Sequence, residues 1–193
     1  MSINTNQLIE SPYQDQMAYF ISGADLTAYF PNCKIVKFSD LDKYSTIYDL
    51  LPATMDFCFI LVETTGINSG HWQIVLRNGG SFEFYDSYGD EPTTILNFVP
   101  KYLNKLLGND YNEDMGHILK SIKKPHKLTI NKFAYQSNID DVNTCGKWVL
   151  IRLMSFLEKN WSNKDLASFI KQKNKETGLK YDEIVCTLIQ ISN

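Results

Sequence analysis

The sequence predicts an α+β domain with a central mixed or antiparallel sheet flanked by helices. Runs of strand length cluster at residues 57–85, whereas apolar residues at helical spacing dominate from residue 145 onward. The 193 residues are enough for one core, since a chain of this length buries roughly 70% of its unfolded surface. No linker or repeat divides the chain, so we expect one domain over residues 1–193, with residues 1–20 as a loosely packed N-terminal arm.

The composition excludes several classes of protein. A net charge of −3 is too close to neutral for a general nucleic-acid binder. The chain contains no apolar run long enough to span a membrane, and its N-terminus lacks the apolar core of a secretion signal. The four cysteines show no C-x-x-C spacing, so the sequence predicts neither a metal site nor a disulfide framework, and it fits a reducing compartment.

Short helices and strands are predicted in the first third of the chain. They are a helix at 26–30, a strand at 34–38, a helical turn at 45–51 and a strand at 57–62. Ser22 and Asp25 form a start signal for the first helix, and Pro31 and Pro52 end the two helical segments. The continuous apolar run at 57–62 indicates a strand buried on both faces.

The strongest local signal is a β-hairpin. Its strands run from Trp72 to Leu76 and from Phe82 to Tyr85, on either side of Asn78-Gly79-Gly80. A two-residue turn at Asn78-Gly79 predicts that His71 faces Asp86, whereas a three-residue loop over 78–80 predicts that Trp72 faces Asp86. A bulge could reconcile the two registers. In either register, His71 and Asp86 end at the same edge of the hairpin.

Helices dominate the rest of the chain. The predicted elements are a helix at 93–107 bent or restarted at Pro100, an irregular stretch at 108–126, a strand at 128–135, a helix from Cys145, and helices at 164–173 and 181–191. Cys145, Val149, Leu153 and Phe156 share one apolar face, which is typical of an amphipathic helix.

His71 and Asp86 are candidates for a general base and the carboxylate that orients it. Directly opposed residues of a hairpin have Cβ atoms ~4.5–5.5 Å apart, within reach of an imidazole–carboxylate hydrogen bond. Such a carboxylate holds the imidazole in one tautomer and stabilises its charged form. Asp90 is the competing carboxylate, but Asp86 ends the strand.

Cys145 is the candidate nucleophile. It lies at the predicted start of an apolar helix, where free N–H groups and the helix dipole stabilise a thiolate. Gly146 allows a substrate carbonyl to come close, and the Cys145 amide is a donor for an oxyanion. Cys33, Cys58 and Cys186 are interpreted as small buried apolar residues.

These residues form a pattern along the chain. It comprises Gly70-His71-Trp72, Asp86-Ser87-Tyr88-Gly89, Gln136 and Thr144-Cys145-Gly146. The pattern resembles the adenovirus-protease/ubiquitin-like-protease clan of cysteine proteases, and it is similar to the capsid-maturation proteases of virophages and polinton-type elements. The order His, Asp, Cys is that of the clan, whereas papain-like enzymes run Cys, His, Asn. The resemblance covers residues 57–158 and implies an adenain-like, papain-related fold.

The resemblance also implies roles for individual residues. His71 becomes the general base, Asp86 its orienting carboxylate and Cys145 the nucleophile. Gln136 becomes an oxyanion donor beside the Cys145 amide, although it lies nine residues before Cys145, a longer spacing than the family shows. Asn138 is the alternative donor. The resemblance makes Trp72 a packing residue beside the base, and the substrate cleft is expected at Trp72, Tyr88 and Gly146.

The implied function is a cysteine endopeptidase that cuts viral capsid precursors after Gly-containing sites during virion maturation. The alternatives are an isopeptidase for ubiquitin-like modifiers, an acyltransferase of the same clan and an inactive peptide-binding relative. We expect a monomer without cofactor, located in the host cytoplasm or virus factory and in the virion. Activation by a peptide or by DNA is implied by the adenovirus enzyme. A basic cluster is formed by Lys120, Lys123, Lys124, Lys127 and Lys132, of which the first four could contact nucleic acid. A solvated loop is the other interpretation of this cluster.

Overall fold

Five strands form one mixed sheet in a computed structural model that describes residues 12–66, 68–92, 94–107 and 114–190. The strands are β1 (Lys34–Lys37), β2 (Phe57–Gly66), β3 (Ser69–Asn78), β4 (Ser81–Asp86) and β5 (Lys127–Ile130). They lie side by side in chain order. The outer pairs β1–β2 and β4–β5 are parallel, and the inner pairs are antiparallel. The predicted α+β class with a mixed central sheet is therefore confirmed.

Helices cover both faces of this sheet. The α-helices are α1 (Gln14–Ala18), α2 (Gly23–Tyr29), α3 (Ile47–Leu50), α4 (Lys101–Leu106), α5 (Asp114–Lys120), α6 (Cys145–Lys159), α7 (Asn163–Thr177) and α8 (Tyr181–Leu188). Two 3-10 turns are formed by Phe38–Lys43 and Ile95–Phe98. One core joins the sheet to α6, α7, α8 and the N-terminal helices, and a second core joins the opposite face to α3 and α5.

The largest core helix, α6, packs against the centre of the sheet. Trp148, Val149 and Leu153 are fully buried in the same apolar cluster as Ile74 and Leu76 of β3. Because side chains alternate along a strand, this face takes the even-numbered residues of β3, and the odd-numbered residues point to the other side. The start of α6 thereby lies beside the N-terminal end of β3.

The hairpin register differs from both predicted registers. The turn is formed by Gly79 and Gly80, so Asn78 pairs with Ser81 and Gln73 faces Asp86. Gly79 takes a φ of 55°, which a glycine adopts without strain. Both predicted registers are wrong because they place Asn78 inside the turn, whereas Asn78 is the last residue of β3.

Three predicted elements differ in extent. The helix predicted at 93–107 is a 3-10 turn followed by α4 after Pro100, and the strand predicted at 128–135 ends at Ile130. The stretch predicted as irregular contains α5. Residues 93 and 108–113 of these predicted elements lie outside the described residues, as does residue 191 of the helix predicted at 181–191.

The N-terminal arm, predicted to be loosely packed over 1–20, is docked from residue 12 onward, and residues 1–11 lie outside the described part of the chain. Met17 is buried, and its carbonyl oxygen accepts a hydrogen bond from the Asn143 backbone N–H at 2.7 Å. The Ala18 carbonyl accepts another from the Asn143 side chain at 3.0 Å. The sequence of the arm does not predict these interactions, because they use backbone carbonyl groups rather than side chains.

Candidate active site

His71 and Asp86 are in direct contact at one end of the β3–β4 hairpin. His71 Nε2 lies 2.7 Å from Asp86 Oδ2, and both side chains are buried. Because Asp86 faces Gln73, the imidazole reaches it diagonally from two residues along the same face of β3. The carboxylate that binds His71 is therefore Asp86 and not Asp90.

Two further donors hold the Asp86 carboxylate in place. The Gln73 side-chain amide donates to Oδ2 at 2.9 Å, and the backbone N–H of Tyr88 donates to Oδ1 at 2.7 Å. Burial by itself raises the pKa of Asp86, but the charge of His71 and these hydrogen bonds outweigh burial and lower the pKa below its ordinary value. Asp86 is consequently ionised at neutral pH.

The surroundings of His71 favour its charged form. Burial by itself lowers the pKa of His71, but the charge and hydrogen bond of Asp86, together with the contact with Cys145, raise it to about 10. The ring of Tyr88 stacks on the imidazole, with centroids 4.9 Å apart and an interplanar angle of 21°. With Nε2 engaged by Asp86, Nδ1 is the ring nitrogen left for the thiol or the substrate.

Cys145 lies in the same cleft as His71, at the first residue of α6. The cleft has a volume of about 130 Å³ and is open to solvent on one side. It is lined by Phe20, Thr64, Gly70, His71, Tyr88, Gln136, Val142, Asn143 and Cys145. The structure therefore brings together the histidine, the cysteine and the glutamine that the sequence singles out from three distant parts of the chain.

Gln136 is held firmly beside Cys145. Its Oε1 accepts a hydrogen bond from the Ser87 hydroxyl at 2.8 Å, and its Nε2 donates to the Val142 carbonyl at 3.0 Å. Its backbone N–H donates to the Ser87 carbonyl at 3.0 Å. Since a side-chain amide has two N–H groups, one remains for a ligand in the cleft. The arrangement can supply an oxyanion donor despite the long spacing to Cys145.

The segment after β4 places Ser87 and Tyr88 for these contacts. Gly89 ends the segment with a φ of 76°, and its N–H donates to the Asp86 carbonyl at 3.1 Å. A Cβ at this position would lie 3.0 Å from the Lys132 and Phe133 backbone. Both the turn and the close approach of residues 132–133 therefore require glycine.

If Gln136 donates to an oxyanion in a peptidase reaction, replacing it by alanine lowers kcat by about 10²–10³ with little change in KM, because the removal of one such donor typically has an effect of this size. Steady-state kinetics on a peptide substrate measure both constants. Asn138→Ala is the matched control, since Asn138 is exposed and lies outside the cleft lining. An unchanged kcat in Gln136→Ala, with a loss in Asn138→Ala, would assign the role to Asn138.

Two residues predicted for the substrate cleft lie elsewhere. Trp72 is 3% exposed and belongs to the core under α6, where its indole N–H donates to the Ile21 carbonyl at 2.7 Å. It faces away from His71 because adjacent residues of a strand point to opposite faces. Gly146 faces Ile21, and a Cβ on it would lie 2.3 Å from Ile21 Cβ. Tyr88 lines the cleft that holds His71 and Cys145.

Sequence reasoning missed two residues of the site. Gln73 contacts Asp86, and the signal for it was a polar residue two positions after His71 in an otherwise apolar strand. Phe20 is 56% exposed and forms one wall of the cleft. No sequence signal pointed to Phe20, because the arm that carries it docks through backbone hydrogen bonds.

The other chemically notable residues lie apart from this cleft. Cys58 and Cys186 are buried in the two cores. His126 is hydrogen-bonded to the Tyr48 hydroxyl through Nδ1, at 2.8 Å. Lys120, Lys123, Lys124 and Lys127 are exposed around the end of α5 and the start of β5. Within the described residues, no three His, Cys, Asp or Glu side chains cluster closely enough for a metal ion, and no helix is long and apolar enough to cross a bilayer.

Comparison with known proteins places the chain among viral proteins. No family model matches it. Among solved structures, the ASFV pS273R protease is similar at a TM-score of 0.42 and 13% identity, with 94% of this chain and 71% of that chain covered. The uncharacterized protein V9 of Sputnik virophage is 34% identical over 147 residues, which cover 75% of this chain and 80% of V9. This identity and coverage show that the chain belongs to the same protein family as V9 of Sputnik virophage.

Proposed function

We propose that the protein is a cysteine endopeptidase whose catalytic residues are His71, Asp86 and Cys145. The observation that carries the proposal is the buried His71–Asp86 hydrogen bond of 2.7 Å in the cleft that also holds Cys145 at the start of α6. A nucleophile, a base and a third group that orients the base constitute the arrangement of acyl-transfer enzymes. Neither a metal ion nor an organic cofactor takes part in the proposed reaction.

The reaction begins with His71 protonated, as its raised pKa of about 10 favours at neutral pH. An imidazolium next to a cysteine favours the thiolate, which is the nucleophilic form. Cys145 Sγ attacks the scissile carbonyl carbon, and the negative charge that forms on the carbonyl oxygen is stabilised by the Cys145 N–H and Gln136. When the C–N bond breaks, His71 donates its proton to the leaving amine.

Hydrolysis of the resulting thioester completes the cycle. His71, now neutral, accepts a proton from water as that water attacks the thioester carbonyl. The C–S bond breaks, the product leaves as a carboxylic acid, and the thiolate and imidazolium are restored. Asp86 stays ionised throughout and stabilises the imidazolium at both ends of the cycle.

Capsid and other virion precursor proteins are the proposed substrates. Membership of a virophage family supports a viral role. A cleft of about 130 Å³ walled by Phe20 and Tyr88 is narrow, which supports a small residue, glycine, just before the cleaved bond. We propose that the enzyme works as a monomer in the host cytoplasm or virus factory and in the virion.

DNA or a peptide is proposed as an activator. Lys120, Lys123, Lys124 and Lys127 are all exposed, and none of them is in an ion pair among the described residues. Clustered lysines bind phosphates with an affinity that falls as salt rises. DNA is therefore expected to stimulate cleavage at low salt and to lose this effect at high salt.

Incubation with two substrate classes tests the proposed function. The purified chain, with and without DNA, is mixed with its cognate capsid precursors and, separately, with conjugates of ubiquitin-like modifiers, and new N-termini are mapped by mass spectrometry. We expect cleavage of the precursors after Gly-containing segments and none of the conjugates, with the Cys145→Ala protein as the control. Release of the modifier with the precursors left intact would identify the protein as an isopeptidase. Transfer of an acyl group without cleavage would identify the protein as an acyltransferase. Peptide binding without either reaction would identify it as an inactive relative.

A further inference from the structure

Asp182 is a buried carboxylate in the first turn of α8. It is 3% exposed, and no lysine, arginine or histidine forms an ion pair with it among the described residues. Three uncharged donors surround it instead: the Ser137 N–H at 2.9 Å from Oδ2, and the Thr144 hydroxyl and Trp148 indole N–H on Oδ1. Burying a carboxylate costs free energy unless hydrogen-bond donors replace the water that it loses. The three donors are therefore held in place by Asp182.

These donors bracket the loop between the two candidate oxyanion residues. Ser137 directly follows Gln136, and Thr144 directly precedes Cys145. A single carboxylate therefore pins both ends of the 137–144 loop. Trp148, one turn into α6, adds a third attachment on the nucleophile's own helix. The separation between Gln136 and Cys145 consequently depends on a residue from the C-terminal helix.

Thr144 shows a second consequence of this arrangement. It occupies the N-cap position of α6, where a threonine hydroxyl commonly accepts a hydrogen bond from the first helical amides. Thr144 makes no such cap, with φ −86° and ψ 0°, and its hydroxyl donates to Asp182 instead. A threonine at the N-cap accepts from the second or third helical amide, here Gly146 or Lys147, and the Thr144 side chain caps neither.

We propose that Asp182 is a positioning residue for the oxyanion site: it fixes Gln136 relative to Cys145, and it binds the Thr144 hydroxyl in place of an N-cap at the start of α6. Asp182 does not touch the substrate and acts through Ser137, Thr144 and Trp148. The inference rests on the proposed peptidase function.

Substitutions at Thr144 separate positioning from packing. Thr144→Val keeps the shape but removes the hydroxyl, and Thr144→Ser keeps the hydroxyl but removes a methyl group. We expect Thr144→Val and Asp182→Asn to lower kcat on the order of 10²-fold, since misplaced reacting groups typically have effects of this size, with KM unchanged. Thr144→Ser should retain wild-type kcat. Glu183→Gln, which removes a charge from the same turn of α8 and leaves an acceptor for the Lys180 N–H, is the matched control and should also match the wild type.

The rate at which iodoacetamide labels Cys145 is measured on the same proteins, because alkylation of the thiol forms no oxyanion. We expect Thr144→Val to label at the wild-type rate, so that its loss of kcat lies at the oxyanion site and not at the nucleophile. If Asp182→Asn does not fold, the two Thr144 variants decide alone. Unchanged kcat in Thr144→Val, or an equal loss in Thr144→Ser, would overturn the inference. A wild-type chain that labels at Cys145 but cleaves no peptide would instead reject the proposed function, on which the inference rests.

Discussion

Replacing Cys145 by alanine is expected to abolish peptide cleavage altogether, because no other cysteine of the described chain lines the cleft with His71. Iodoacetamide at neutral pH should label Cys145 far faster than the other thiols. Burial raises the pKa of Cys58 to about 12 and that of Cys186 to about 11, so both thiols stay protonated and unreactive. Peptide mapping by mass spectrometry after timed labelling measures all four rates.

Cys33 provides the internal comparison, since it is half-buried and lies outside the cleft. The Cys33→Ala protein should cleave peptides at the wild-type rate and still label at Cys145. Uniform labelling of the four cysteines, or activity in the Cys145→Ala protein, would contradict the assignment of the nucleophile.

The His71 and Asp86 variants should differ in severity. His71→Ala is expected to be nearly inactive, because the described lining of the cleft contains no other histidine to protonate the leaving amine. Asp86→Asn is expected to lose about 10²–10⁴-fold in kcat, as when the orienting carboxylate of another triad is replaced. Steady-state kinetics on one peptide substrate measure both losses. A fully active Asp86→Asn protein would show that the carboxylate does not orient the base.

The pH profile gives the same pair a second test. His71 has a raised pKa, so it keeps its proton as pH rises through neutrality and loses it only near pH 10, which sets the alkaline limb of activity. In Asp86→Asn the charge that raises this pKa is gone and burial lowers it, so the alkaline limb should move to lower pH. Asp90→Asn is the control, because it removes a nearby charge that is not hydrogen-bonded to His71. It should leave the alkaline limb near its wild-type position. If the alkaline limb of Asp86→Asn stays at its wild-type position, Asp86 does not raise the pKa of His71.

The sequence predicted the elements that carry the site better than the contacts between them. Apolar alternation and the glycines after Asn78 indicated the hairpin, and the apolar face that begins at Cys145 indicated α6. The register could not be predicted, because it depends on whether Asn78 belongs to the turn or to β3. Trp72 was predicted in the cleft, but it packs in the core, because adjacent residues of a strand such as His71 and Trp72 point to opposite faces.

Residues that act across long separations left no local signal. Asp182 bonds Ser137, which precedes it by 45 residues, and Asn143 bonds Ala18, 125 residues before it. In sequence, Asp182 reads as an acidic residue in the first turn of a helix, which is common at helix N-termini. Its position beside the nucleophile depends on how α8 packs against α6, and this packing is a property of the whole fold.

The most direct test of the central claim is to trap the covalent intermediate. The protein is mixed with a peptide ester that presents glycine at the cleaved bond, turnover is stopped in acid within the first cycle, and the adduct is located by peptide mapping. We predict that the acyl half of the substrate is attached to Cys145 in the wild type. Turnover without an adduct, or an adduct on another residue, would contradict a peptidase that works through Cys145.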